Sequence, residues 1–106
     1  MELSELFTVL DAVLPGKVVY EAWPVGQAPP LPFICYMATT ADNFGADNVV
    51  YHGATTVQIE LYTEHKDRTT EASLESALTS AGLFWLRDEV YLSDEHCFQI
   101  IYEVSI

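Results

Sequence analysis

Residues 57–63 read Val-Gln-Ile-Glu-Leu-Tyr-Thr, an unbroken alternation that continues into Glu64. A period of two marks a strand with one face buried and the other turned to solvent or a partner. Val57, Ile59, Leu61 and Thr63 make the inner face; Gln58, Glu60, Tyr62 and Glu64 make the outer one. At Glu64-His-Lys-Asp67 the alternation ends and helical spacing begins. Arg68 to Ala81 carries Leu74, Ala77, Leu78 and Ala81 on one stripe, with Asp67 as N-cap, Glu71 near the start and Gly82 as the stop. Leu83 to about Arg87 and His96 to Ile106 read as two closing strands. In the last of these Phe98, Ile100, Tyr102, Val104 and Ile106 share a face.

Upstream, Leu3, Leu6, Phe7, Leu10, Val13 and Leu14 recur at spacings of three and four, which predicts an amphipathic helix over 3–14. Glu2 and Glu5 lie in its first turn, where the helix dipole favours negative charge, and Pro15-Gly16 ends it. Lys17 to Trp23 reads as a first strand, and residues 25–32, with three prolines, as a stiff connection unable to serve as a central strand. Phe33 to Thr40 is apolar on both faces, as expected of a central strand. Thr55 to Glu64 is the long third strand, and its length suits it to supply an edge for pairing between copies. The expected fold is α+β, in the order α-β-β-β-α-β-β, with a largely antiparallel sheet and both helices on one face.

At 106 residues the chain fits one domain spanning 1–106. A domain of this size buries roughly 60–70% of the surface of its unfolded chain, enough to fold without metals or disulfides. Hydrophobic residues make up 50% of the sequence, which excludes intrinsic disorder. No apolar run approaches the ~20 residues of a membrane span. The first residues are acidic where a secretory signal needs basic ones, so export is not expected. Cys35 and Cys97 accordingly read as free, buried thiols.

Sixteen Asp and Glu face only Lys17, Lys66, Arg68 and Arg87, a formal net charge of −12. Specific DNA or RNA binding needs a clustered cationic footprint to neutralise phosphates, and none is present. The acidity serves solubility and suits a surface that sits near DNA without binding it.

No constellation carries recognisable chemistry. Residues 42–53 have a calcium-loop flavour, but position six from Asp42 is Asp47 and position twelve is Gly53, where the loop needs glycine and a bidentate glutamate. His52, His65, His96 and Cys97 lack the paired short spacings of structural zinc, so no metal or cofactor is expected. Asp88/Glu89 and Asp94/Glu95 are adjacent pairs that splay apart and read as solvated loop charge. No glycine-framed serine or glycine-rich phosphate turn occurs, and an enzyme is not expected.

Asn48-Val-Val-Tyr51, Ile59-Glu-Leu-Tyr-Thr-Glu64, Lys66-Asp67, the following helix and Gln99-Ile-Ile-Tyr-Glu103 resemble the small tail-terminator (tail-completion) proteins of long-tailed bacteriophages and prophages, particularly those of Gram-positive bacteria. The resemblance spans nearly the whole chain in length and element order. It implies a structural subunit of a ring, usually hexameric, at the head-proximal end of the tail. There the ring stops tube polymerisation and meets the head connector. Implied partners are further copies of the chain, the major tail-tube protein and connector or neck proteins. DNA would pass nearby unbound, without a membrane, in the host cytoplasm during assembly and then in the virion tail or neck. The proline-rich segment 24–32 and the scarcity of lysine depart from the pattern and leave a neighbouring head-closure protein open. The loop 41–53 is the candidate contact: Phe44, Val49 and Tyr51 are apolar or aromatic anchors among Asp42, Asn43 and Asp47. From another class, a monomeric acidic adaptor or DNA-mimic inhibitor is the alternative; it should concentrate its carboxylates on one face, whereas here they are spread along the chain.

Overall fold

The computed structural model describes residues 1–39 and 55–106. Its elements run α1 (Leu3–Val13), β1 (Val18–Tyr20), β2 (Phe33–Ala38), β3 (Thr56–Thr63), α2 (Arg68–Ser80), β4 (Leu86–Leu92) and β5 (Cys97–Ser105). This is the expected α-β-β-β-α-β-β order. Among the described residues, five strands form one sheet ordered β1-β2-β3-β5-β4, in which only the β1–β2 pair is parallel.

Alternation in β3 does what the sequence implies. Val57, Ile59, Leu61 and Thr63 are buried, beside Ile34 and Tyr36 of β2 and Ile100, Tyr102 and Val104 of β5. Leu6 and Leu10 of α1 and Leu74 and Leu78 of α2 close over these side chains, so both helices cover the same face. Burying each such aliphatic side chain contributes about 1.5–3 kcal/mol, which makes this one layer the main source of stability. Local signals set the helix ends. Asp67 caps α2 by accepting from the Thr70 N–H at 3.0 Å. Gly82, at φ +81°, reverses the chain after it, so that the Gly82 N–H reaches Thr79 O and the Leu83 N–H reaches Leu78 O.

Several boundaries differ from expectation. β1 stops at Tyr20 because Glu21 turns left-handed, at φ 69°, while its N–H still donates to Tyr36 O. β4 begins at Leu86 rather than Leu83, since Leu83 is occupied in terminating α2, and it runs on to Leu92 because β5 offers partners as far as Cys97. Asp88 and Glu89 therefore lie inside a strand and not in a loop, whereas Asp94 and Glu95 do occupy the turn.

The larger correction concerns the sheet edge. β3 is the middle strand, hydrogen-bonded to β2 on one side and β5 on the other, and cannot offer an edge to another copy. β2 is interior, between β1 and β3. Among the described residues the edges are the three-residue β1 and the seven-residue β4, whose Leu86 and Tyr91 are more than half exposed. The candidate contact residues Asp42, Asn43, Phe44, Asp47, Val49 and Tyr51, and also His52, lie outside the described residues.

Candidate functional site

Two polar constellations stand out, one on each side of the sheet, and the sequence patterns indicate neither. The first centres on Glu71. It sits on the core stripe of α2, three residues before Leu74 and seven before Leu78, and its side chain is fully buried. Lys66 Nζ lies 3.0 Å from Glu71 Oε2, Arg87 Nη2 lies 2.5 Å from Oε1, and Arg68 donates to the same Oε1. Arg87 also reaches Glu75 at 3.4 Å and Glu89 at 3.0 Å, while Lys66 pairs with Glu89 at 2.5 Å. Tyr102 closes the network by donating to Glu75 at 2.8 Å.

A lone buried carboxylate is prohibitively desolvated, and three cations offset that cost. The network ties the β3–α2 connection, the first turns of α2 and the edge strand β4 into one unit. The hydrogen bond to Lys66 holds the Glu89 carboxyl below its ordinary range, and the same contact raises Lys66. The electrostatic consequence reaches further. Three of the four Lys and Arg residues are held among carboxylates here, which leaves Lys17 as the one other Lys or Arg for the remaining acidic side chains.

The second constellation lies on the face without helices. Glu60, assigned by alternation to the outer face, does point there but is only 9% exposed. Its Oε1 accepts from the Tyr62 hydroxyl at 2.8 Å and its Oε2 from Gln58 Nε2 at 2.6 Å, and Gln99 Nε2 donates to the Tyr62 oxygen at 2.9 Å. Cys35 is its cross-strand neighbour. Burial, with the Glu60 charge as the smaller cause, pushes the Cys35 thiol up to about 11. Burial and then the hydrogen bond to Glu60 raise Tyr62. Phe33 and Trp23 continue this face as an aromatic line, with ring centroids 5.1 Å from Tyr62 to Phe33 and 6.0 Å from Phe33 to Trp23.

A thiol raised to about 11 stays protonated at neutral pH and is a poor nucleophile. Cys97, likewise free and buried, is also raised by burial, and the adjacent His96 is exposed in the turn. The groove between α1 and α2, about 820 Å³, is lined mainly by small residues such as Ala12, Ala72, Ser73, Ser76 and Ser80, with Arg68 as the one charged side chain. Among the described residues no group of three or more His, Cys, Asp or Glu side chains is placed to hold a metal ion, and no helix is long and apolar enough to cross a membrane.

No family model and no curated protein matches the chain. Among solved structures it is similar to a chain of the virion of a native gene transfer agent (GTA) particle. The two are 18% identical, with a TM-score of 0.51, over 92% of this chain and 83% of that one. At this identity the likeness is one of fold.

Proposed function

We propose that the chain is a structural subunit of a phage-like virion that assembles as a ring at the head-proximal end of the tail, ends tail-tube polymerisation and joins the tail to the head connector. The observation that supports it most is the fold shared, nearly end to end, with a protein chain of a gene transfer agent virion. The distribution of charge agrees with it. With Lys66, Arg68 and Arg87 held around Glu71, the subunit offers passing DNA carboxylates and almost no cation, so a duplex can slide by without adhering. A catalytic role is not part of this proposal: the Cys35 thiol, pushed up to about 11, and the raised Tyr62 and Tyr102 hydroxyls stay protonated at neutral pH and make poor nucleophiles. Neighbouring copies would meet through the exposed edge strand β4 or the segment 41–53, and β3 is excluded by its position in the sheet.

Copies carrying −12 each repel one another, so assembly should strengthen as salt shortens the Debye length to about 8 Å near 0.15 M. Light scattering across salt and protein concentration, with electron microscopy for rings and for capping of tubes made from the cognate tail protein, tests the proposal. A protein that stays monomeric throughout and leaves tube length unchanged is instead an acidic adaptor.

A further inference from the structure

The hydrogen-bond alternation of the sheet fixes which backbone groups of β4 face outward. Thr55 and Ile106 exchange both N–H and C=O at 2.9 Å, so they are a hydrogen-bonded pair of the β3–β5 ladder. By alternation the even-numbered residues of β5 bond β3, and Gln99, Ile101 and Glu103 turn to β4. Their partners there are Val90, Asp88 and Leu86, so the N–H and C=O of Arg87, Glu89 and Tyr91 point away from the sheet. Phe84, Leu86, Val90 and Tyr91, all exposed, flank this row. An unpaired edge with that much apolar surface is a template for another strand. One of its outward donors is already taken: the Glu89 N–H donates to Asp88 Oδ1 at 2.8 Å.

We propose that Asp88 guards this edge against a second copy of the chain. The register singles out that occupant. Two β4 edges meet about a two-fold axis only where outward-facing residues come opposite one another. An axis at Arg87 or at Glu89 sets like charges face to face, and one at Val90 sets Asp88 against Leu92. An axis at Asp88 instead places Arg87 opposite the second copy's Glu89, and Leu86 opposite the second copy's Val90. The strand therefore favours pairing with itself everywhere but at the centre. There the two Asp88 residues form a non-hydrogen-bonded pair, with Cα atoms about 4.5 Å apart. Among the described residues Asp88 pairs with no Lys or Arg, so neither charge is offset. The same carboxylate holds the Glu89 N–H that the second strand needs, and pairing must first break that charge-assisted hydrogen bond.

Joining β4 to β4 is isologous and closes at two copies, so it would compete with any larger ring. A head-to-tail neighbour would not set Asp88 against Asp88. The guard is a property of the free subunit and does not rest on the virion reading.

Asp88→Ala and Asp94→Ala each remove one carboxylate, the second from the exposed turn beyond the edge, so the two variants have the same net charge. In sedimentation equilibrium at about 0.15 M salt, Asp88→Ala should dimerise about 10-fold or more tightly than Asp94→Ala or the wild type. Asp88→Thr, a better strand former, carries the test if the alanine variant does not fold. Cysteines locate the contact. In the Asp88→Ala background, Leu86→Cys and Val90→Cys proteins should form a disulfide dimer only when mixed, because the register sets 86 opposite 90 at about 4.5 Å. Within either protein alone the introduced cysteines lie about 13 Å or more apart, too far to bridge. Equal association of the Asp88 and Asp94 variants overturns the inference, and so does a mixture that fails to cross-link or an unmixed protein that cross-links as readily.

Discussion

Replacing Arg87 with methionine tests whether the network around Glu71 is part of what holds the fold. Methionine keeps the apolar stem of the side chain but lacks the guanidinium and so removes three contacts: 2.5 Å to Glu71, 3.4 Å to Glu75 and 3.0 Å to Glu89. Breaking a buried ion pair from one side costs about 3–5 kcal/mol, because the partner is left desolvated and unpaired. Here Glu71 keeps Lys66 and Arg68, and the Arg87 side chain is itself 28% exposed, so part of the effect is screened. The expected loss is about 2–3 kcal/mol, or roughly 10–20 °C in Tm for a domain of this length. Lys66→Met, at a side chain 39% exposed, should cost about 1 kcal/mol. Unfolding in urea, followed by circular dichroism, is the assay; urea is uncharged and does not screen the network as guanidinium would. Combined with Glu71→Gln in a double-mutant cycle, Arg87→Met should show clear coupling. An Arg87→Met midpoint within about 0.5 kcal/mol of wild type at unchanged m-value, or simple additivity with Glu71→Gln, would refute the claim that the cluster acts as one unit.

The protein should be most stable between about pH 5 and 9. Asp67 and Glu89 have folded values lowered by their hydrogen bonds to Thr70 and Lys66, so their contribution is present above their ordinary values of 3.8 and 4.5 and is lost as pH falls through the folded ones. The Cys35 thiol, moved by burial from 9.0 to about 11, adds stability that is lost as pH rises over that interval; Lys66, raised above 10.5, loses its share at still higher pH. Urea midpoints measured from pH 3 to 11 check this, and a maximum outside that window contradicts it. Leu61→Asp should unfold the chain, since it places an unpaired charge at a fully buried position at a cost of several kcal/mol, whereas Val90→Asp on the exposed edge strand should change stability by about 0.5 kcal/mol or less. Equal thermal midpoints for the two variants would show that the faces are misassigned.

Most of the fold was legible in one dimension because its determinants are local. Alternation in residues 57–63 placed the buried face of β3 correctly, and the spacing of Leu6, Leu10, Leu74 and Leu78 placed both helices on it. Asp67 and Gly82 act as cap and stop through contacts within a few residues. Strand boundaries were less legible, since a strand runs only as far as its neighbour offers hydrogen-bonding partners. Leu92 belongs to β4 because Cys97 faces it, and Asp88 and Glu89 read as loop residues in the sequence because charge patterning says nothing about pairing. The position of β3 was hidden for the same reason: length marks a strand but does not reveal whether one side or both are paired.

The polar constellations lay further beyond the sequence. Glu71 stands in register with Leu74 and Leu78, and Arg68 precedes it by three residues, so a buried acid with one cation was within reach of helical spacing. Arg87, sixteen residues away, and the Glu89–Lys66 pair, separated by twenty-three, meet only through the packing of β4 beside α2. The sequence by itself determined the elements, their amphipathic faces and the excess of negative charge, because these depend on residue type and short-range period. Tertiary structure alone decided which carboxylates are neutralised and which remain open on the sheet, because ion pairing acts through space, where distance along the chain has no bearing on distance between charges.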